Sequence, residues 1–171
     1  MEETQKKVEV SMQMTTAAMF EFSYWHSYHG FMGIVNYAFS FAALAALLAG
    51  YGKGNMVAMV ALIILASLFT IINPLLLLKK SARQVKTSPM FQKPLTYTFD
   101  AQGFTVAQGE DAATASWTDV LLIRETKNLV ILYMGASNAT ILLKKEIGEA
   151  LSEVKTWIRE ANPDAAGKLK K

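Results

Sequence analysis

Two uncharged apolar runs separated by five residues constrain this chain more than anything else in it. Residues 31–50 (FMGIVNYAFSFAALAALLAG) and 56–78 (MVAMVALIILASLFTIINPLLLL) contain no charged side chain. At ~1.5 Å per residue, a helix of about 20 residues crosses the ~30 Å hydrocarbon core of a bilayer. The connector YGKGN at 51–55 is too short for anything but a tight turn, so the pattern predicts an antiparallel transmembrane hairpin.

Charge then orients the hairpin. No Asp or Glu occurs between Phe22 and Phe99, and the turn carries only Lys53. Lys79, Lys80, Arg83, Lys86 and Lys93 follow the second run. Positive residues concentrate on the cytoplasmic side, which places residues 79–93 inside as a basic juxtamembrane linker and the turn outside. Both termini then face the cytoplasm. The same five cations are the candidate contacts for anionic lipid headgroups. The net charge of +3 is thus a topology signal, and no nucleic-acid partner is expected.

The polar residues inside the runs, Asn36, Ser40, Ser67, Thr70 and Asn73, admit two readings. They form a solute track, or they bond between helices while Asn73-Pro74 kinks the second one. The second is favoured because no ionisable group accompanies them. Ala42, Ala43, Ala45, Ala46 and Ala49 offer a small-residue face for the second helix or for another copy of the chain.

Before the hairpin, Val8, Val10, Met12 and Met14 alternate with polar residues, the period of a half-buried strand. Thr15-Thr16 then suits the N-cap of a short aromatic helix. Within it Tyr24, Trp25 and Tyr28 read as an interfacial aromatic belt. His26 and His29, at i and i+3, share a helical face, but Glu21 is the only nearby carboxylate. No metal site is expected.

From Pro94 onward, short alternating runs are divided by turn residues. Leu95, Tyr97 and Phe99 share one face, and Ala101-Gln102-Gly103 makes a hairpin with glycine available for a left-handed position. Gly109-Glu110-Asp111, Lys127-Asn128 and residues 135–138 mark further turns. Residues 146–160 show helical periodicity through Ile147, Ala150, Leu151, Val154 and Ile158, ending at Asn162-Pro163. The fold class is therefore an α+β membrane protein: residues 1–30 as a cytoplasmic strand and interfacial helix, spans at 31–50 and 56–78, and a β domain at 94–171. That domain is a small antiparallel sheet or partial barrel capped by a C-terminal helix.

Chemistry is sparse. The chain has no cysteine, which excludes disulfides, thiolate catalysis and Cys-based zinc sites. No Gly-rich phosphate loop is present and both histidines lie far from the β domain. Asp100, Glu110, Asp111, Asp119 and Glu125 read as solvated carboxylates, Arg124-Glu125 with Lys127 as a salt-bridged edge, and Trp117 as a core anchor. No catalytic residue and no cofactor are expected.

The run from Leu95 to Ile147 resembles the YcxB-like family of bacterial membrane proteins. The resemblance rests on the hairpin around Gly103, the Trp117-Thr118-Asp119-Val120 element, Arg124-Glu125-Thr126 before a strand containing Tyr133, and Ile141-Leu142-Leu143-Lys144-Lys145 leading into a helix. The family reads Ile-Pro-Lys where this chain has Leu142-Leu143-Lys144. The resemblance implies a pleckstrin-homology-like sheet domain and a bacterial plasma-membrane address, with no assigned activity. The expected role is a membrane-anchored, non-catalytic interaction module; the alternative is a structural or regulatory subunit of a membrane complex, such as a transporter or immunity assembly.

Overall fold

The computed structural model describes residues 6–50, 55–135, 138–167 and 169. The chain divides into two compact units, Met19–Gln84 and the combination of Met1–Ala18 with Val85–Lys171. The turn lysine Lys53 and its flanking glycines lie outside the described residues.

The first unit holds the apolar helices. Helix α1 (Thr16–Tyr28) begins where Thr15 Oγ1 accepts from the Ala18 amide at 3.1 Å, the expected N-cap. Helix α2 (Phe31–Ala49) packs against α3 (Met56–Ser67), which Asn55 caps through its side-chain oxygen on the Ala58 amide. The α2 residues turned inward are Gly33, Ser40 and Ala43. Of the five alanines read as one face, Ala43 is buried, whereas Ala42, Ala45, Ala46 and Ala49 are exposed.

A π-helical turn (Leu68–Ile72) joins α3 to α4 (Asn73–Thr87), where the sequence suggests a kink at Asn73-Pro74. The Asn73 amide reaches back to the Leu68 carbonyl, one residue beyond the α-helical partner. The Phe69 carbonyl thereby loses Asn73 as a donor, and Pro74, next in line, has no N–H. The Tyr28 hydroxyl supplies the missing bond to Phe69 at 2.7 Å and accepts from Asn73 Nδ2 at 3.0 Å. Of the polar residues in the runs, Asn73 thus makes the expected interhelical bond, whereas Thr70 Oγ1 donates to the Ala66 carbonyl of its own helix at 2.9 Å and Ser40 Oγ is buried without a hydrogen bond among the described residues. By length and composition, Phe31–Ala49 and Met56–Thr87 are both apolar and long enough to cross a membrane. The second runs past Leu78, so the basic segment read as a linker is helical to Thr87 and continues in α5 (Pro89–Gln92).

The second unit holds two antiparallel sheets. Strands β1 (Val8–Met12), β2 (Leu95–Phe99), β3 (Gly103–Gln108) and β4 (Asp111–Ser116) form the first in that order. β1 pairs with β2 from Val8 opposite Phe99 to Met12 opposite Leu95. The strand preceding the apolar hairpin is therefore hydrogen-bonded to the first strand that follows it. Strands β5 (Leu122–Glu125), β6 (Leu129–Tyr133) and β7 (Ala139–Leu143) form the second sheet, after a 3₁₀ turn at Trp117–Asp119. All five residues of β6 are buried, which requires cover on both faces.

Residues of β2, β3 and the 3₁₀ turn build an aromatic core. Trp117 and Phe99 are fully buried and stack with ring centroids 6.3 Å apart, and Phe104 packs on Trp117 at 5.3 Å. The indole N–H donates to the Asp100 carbonyl at 2.9 Å, which meets the core-anchor reading of Trp117. Asp100 Oδ1 meanwhile accepts from the Gln102 and Gly103 amides and closes the β2–β3 turn. Gly103 is not left-handed, contrary to the expectation from sequence. It is needed because a Cβ there would collide with the Ala115 carbonyl on β4.

The C-terminal helix is broken where periodicity alone suggested continuity. α6 (Lys144–Ile147) ends at Gly148, whose φ of +60° stops the helix, and a 3₁₀ turn (Gly148–Ala150) leads into α7 (Leu151–Ala161). Ile147, Val154 and Ile158 are buried as the amphipathic pattern requires. Asn162 Nδ2 donates to the Trp117 and Val120 carbonyls at 2.9 Å, and its Oδ1 caps α8 (Pro163–Ala166).

Candidate functional site

Four features bear on function, each lying within a single element or unit. The first is α4 with its charges. Lys79, Lys80, Arg83 and Lys86 are exposed on one continuous helix. At 100° per residue, Lys79, Arg83 and Lys86 fall within an arc of about 60°, with Lys80 to one side. Lys93 lies beyond α5, away from this helical stripe, and is also exposed.

The second is the aromatic helix α1. Of the three residues read as a belt, Tyr28 is buried, because its hydroxyl serves the Phe69 carbonyl. The Tyr24 hydroxyl bonds that of Tyr37 at 2.7 Å. Trp25 is half-buried and stacks on His29 at 4.4 Å, while Phe22 stacks on His26 at 5.9 Å. Both histidines are thus engaged with rings one helical turn away. Among the described residues no three His, Asp or Glu side chains are grouped for a metal ion.

The third is a buried charge cluster that corrects the sequence reading. Glu125 has a side chain only 3% exposed. Its Oε1 accepts from Lys144 Nζ at 2.6 Å and from Lys155 Nζ at 2.8 Å, tying β5 to α6 and α7. Lys144 Nζ also donates to the Thr126 carbonyl at 2.6 Å. One carboxylate thus holds two ammonium groups in a low-dielectric setting. This is a structural clasp rather than a solvated edge. The signal for it, lysines at 144 and 155 on the inner side of the helical period, is weak because lysine usually marks the outer face.

The fourth is a cleft of about 620 Å³ in the β unit. It is walled by β2, β3, β4, β7 and α5, with Tyr97, Val106, Ala113 and Ile141 among its lining residues. Most of its side chains are apolar, and Met14, Met90 and Met134 give it a deformable wall. Gln108, at its mouth, holds α5 in place by donating to the Met90 and Lys93 carbonyls. Tyr97 is 5% exposed, and its hydroxyl makes no hydrogen bond among the described residues. Burial pushes its pKa up to about 12 from an ordinary value of 10.0. This volume falls within the range of small-molecule and peptide side-chain pockets. Little in the residue pattern signals it, since the cleft exists where β4 puts alanines against the bulkier side chains of β3.

Residues 99–158 match the family model of the YcxB-like protein. No curated protein and no solved structure matches the chain.

Proposed function

From the premise that residues 99–158 belong to the YcxB-like family, we propose that this chain is a non-catalytic interaction module held at the cytoplasmic face of the bacterial plasma membrane. The observation that carries this reading is the pairing of β1 with β2. The apolar hairpin leaves the sheet from one strand and rejoins it at that strand's hydrogen-bonded neighbour. It is an insertion within a domain rather than a tail attached to one. Two crossings at 31–50 and 56–78 return both ends of the insertion to the same side, as one folded sheet demands. The four-plus-three antiparallel sheets followed by a helix support a pleckstrin-homology-like barrel. The exposed cations of α4 then meet anionic headgroups, each contributing about 1 kcal/mol near the surface.

The absence of cysteine makes the topology directly testable. With single substitutions Lys53→Cys and Glu110→Cys, a membrane-impermeant maleimide should label the first in intact cells and the second only after lysis. Labelling of both from one side, or recovery of the chain in the soluble fraction, overturns the reading. A second reading, a subunit of a larger membrane complex assembled through the helices, draws on one observation. Ala42, Ala45, Ala46 and Ala49 face away from the intramolecular packing surface. Crosslinking in native membranes at Ala45→Cys should then capture a neighbour; recovery as an uncrosslinked monomer removes that reading.

A further inference from the structure

β4 is the outermost strand of its sheet, and its free edge has none of the devices that usually blunt one. Pairing with β3 is one-to-one from Gln108 opposite Asp111 to Gly103 opposite Ser116, with no bulge. In a hairpin joined by two residues, the flanking pair Gln108–Asp111 is hydrogen-bonded and alternate pairs follow it. Asp111, Ala113 and Ala115 therefore direct their backbone groups at β3. Ala112 and Thr114 direct theirs outward, and no backbone hydrogen bond from outside the ladder reaches either residue among those described. The strand has no lysine, arginine or proline, and Asp111 is its only charge.

Beside this edge lies the cleft, and the two share Ala112 and Ala113. On the inward face of the sheet Ala113 and Ala115 stand opposite Val106 and Phe104. Small side chains on the edge strand thus leave the space unfilled. Tyr97, a residue only 5% exposed, lines that space, and its hydroxyl makes no hydrogen bond to another described residue. That hydroxyl can therefore donate to, or accept from, an occupant of the cleft.

We propose that the β4 edge and its cleft take an extended peptide segment of a partner protein. The segment adds as a fifth strand at Ala112 and Thr114 and sets apolar side chains in the cleft, with a carbonyl or polar atom at the Tyr97 hydroxyl. The chemistry selects this occupant. An acyl chain fills apolar volume but satisfies neither outward N–H nor outward C=O. A second copy's β4 satisfies the backbone, yet its inward residues are alanines and cannot fill about 620 Å³. An extended foreign strand with alternating larger apolar residues does both. This inference deepens the interaction-module reading, naming its partner class, and rests on it.

The test uses the full-length chain in lipid nanodiscs, with a displayed random heptapeptide library as the probe. Selected peptides should alternate apolar and polar residues. Thr114→Pro removes one outward N–H at an edge position where proline is tolerated, and should weaken their binding about tenfold. Ala113→Leu fills the cleft, leaves the outward amides intact, and should also weaken binding. Amide exchange at Ala112 should slow in the complex, and protection of the ladder amides of Ala113 and Ala115 in the free protein reports the fold of Thr114→Pro and, at Ala115, of Ala113→Leu. Several results overturn the proposal: no enrichment, or peptides indifferent to both substitutions. Oleate protecting the cleft while no peptide does so makes it a lipid site. A dimer that Thr114→Pro converts to monomer, without peptide binding, makes it a self-association edge. The maleimide topology result is independent of all of these, so the membrane reading can stand when this one falls.

Discussion

The Tyr28 hydroxyl donates to the Phe69 carbonyl at 2.7 Å, and Pro74 is the reason that carbonyl is available. Two residues 41 positions apart therefore share one local problem in backbone hydrogen bonding. A helix can contain proline in an apolar setting only where another group takes over the freed acceptor. Here the donor is brought by the aromatic helix, which gives Tyr28 a role in folding the hairpin.

Replacing Tyr28 by Phe keeps the ring and strands the carbonyl. The expected cost is about 1–3 kcal/mol, the range for a buried acceptor left without a donor. Pro74→Ala restores an N–H in the same stretch, so the double variant should recover part of the loss. A double-mutant cycle on unfolding in micelles measures this; additive effects would show that the two residues do not act on one carbonyl.

Glu125 makes a sharper case, because it compensates two buried ammonium groups at once. Glu125→Leu should destabilise the β unit by about 3–5 kcal/mol, since Lys144 and Lys155 lose their shared partner. Combining it with Lys144→Met and Lys155→Met removes all three charges and should return most of that loss. Chemical denaturation of the full chain checks both arms, and a triple variant no better than the single one would count against the clasp.

These two relationships also show where the sequence could be read and where it could not. The alternation of Val8, Val10 and Met12 and of Leu95, Tyr97 and Phe99 is carried by period two. It is visible without knowing any partner, and the structure pairs those two strands. The apolar runs were equally plain. Their end was not: hydropathy stops at Leu78, but Lys, Ala, Arg and Gln are good helix formers, so α4 continues to Thr87. Gly148 breaks the last helix because φ, unlike periodicity, leaves no trace in the hydrophobic pattern. Glu125 reads as solvated because its partners lie 19 and 30 residues away, on α6 and α7, where lysines normally face outward. The cleft was illegible for a related reason, since it is defined by what alanines on β4 fail to fill.

Gly103 tests the tight approach of β3 to β4. Gly103→Ala should cost about 1–3 kcal/mol through overpacking against the Ala115 carbonyl, and it should loosen the β3–β4 pairing first. Hydrogen exchange should show faster exchange at Phe104 and Ala115 than in the unsubstituted protein. Unchanged protection there would mean that the strands can separate without loss of the ladder.

Tyr97 couples the cleft to pH. Burial raises its pKa to about 12, against 10.0 for the free side chain. Below pH 10 the phenol is neutral in both folded and unfolded chains, so it adds no pH dependence. Between pH 10 and 12 the unfolded chain ionises and the folded one resists, so the unfolded state gains and stability falls as pH rises. Two pKa units correspond to about 2–3 kcal/mol by the upper end of that window. Tyr97→Phe has no proton to lose and should flatten this part of the curve, although other tyrosines continue to titrate. Denaturant midpoints at pH 9 and 11.5, compared between the two proteins, isolate the difference. An equal fall in both would place the Tyr97 hydroxyl in contact with water, and the cleft would then be wet at its base.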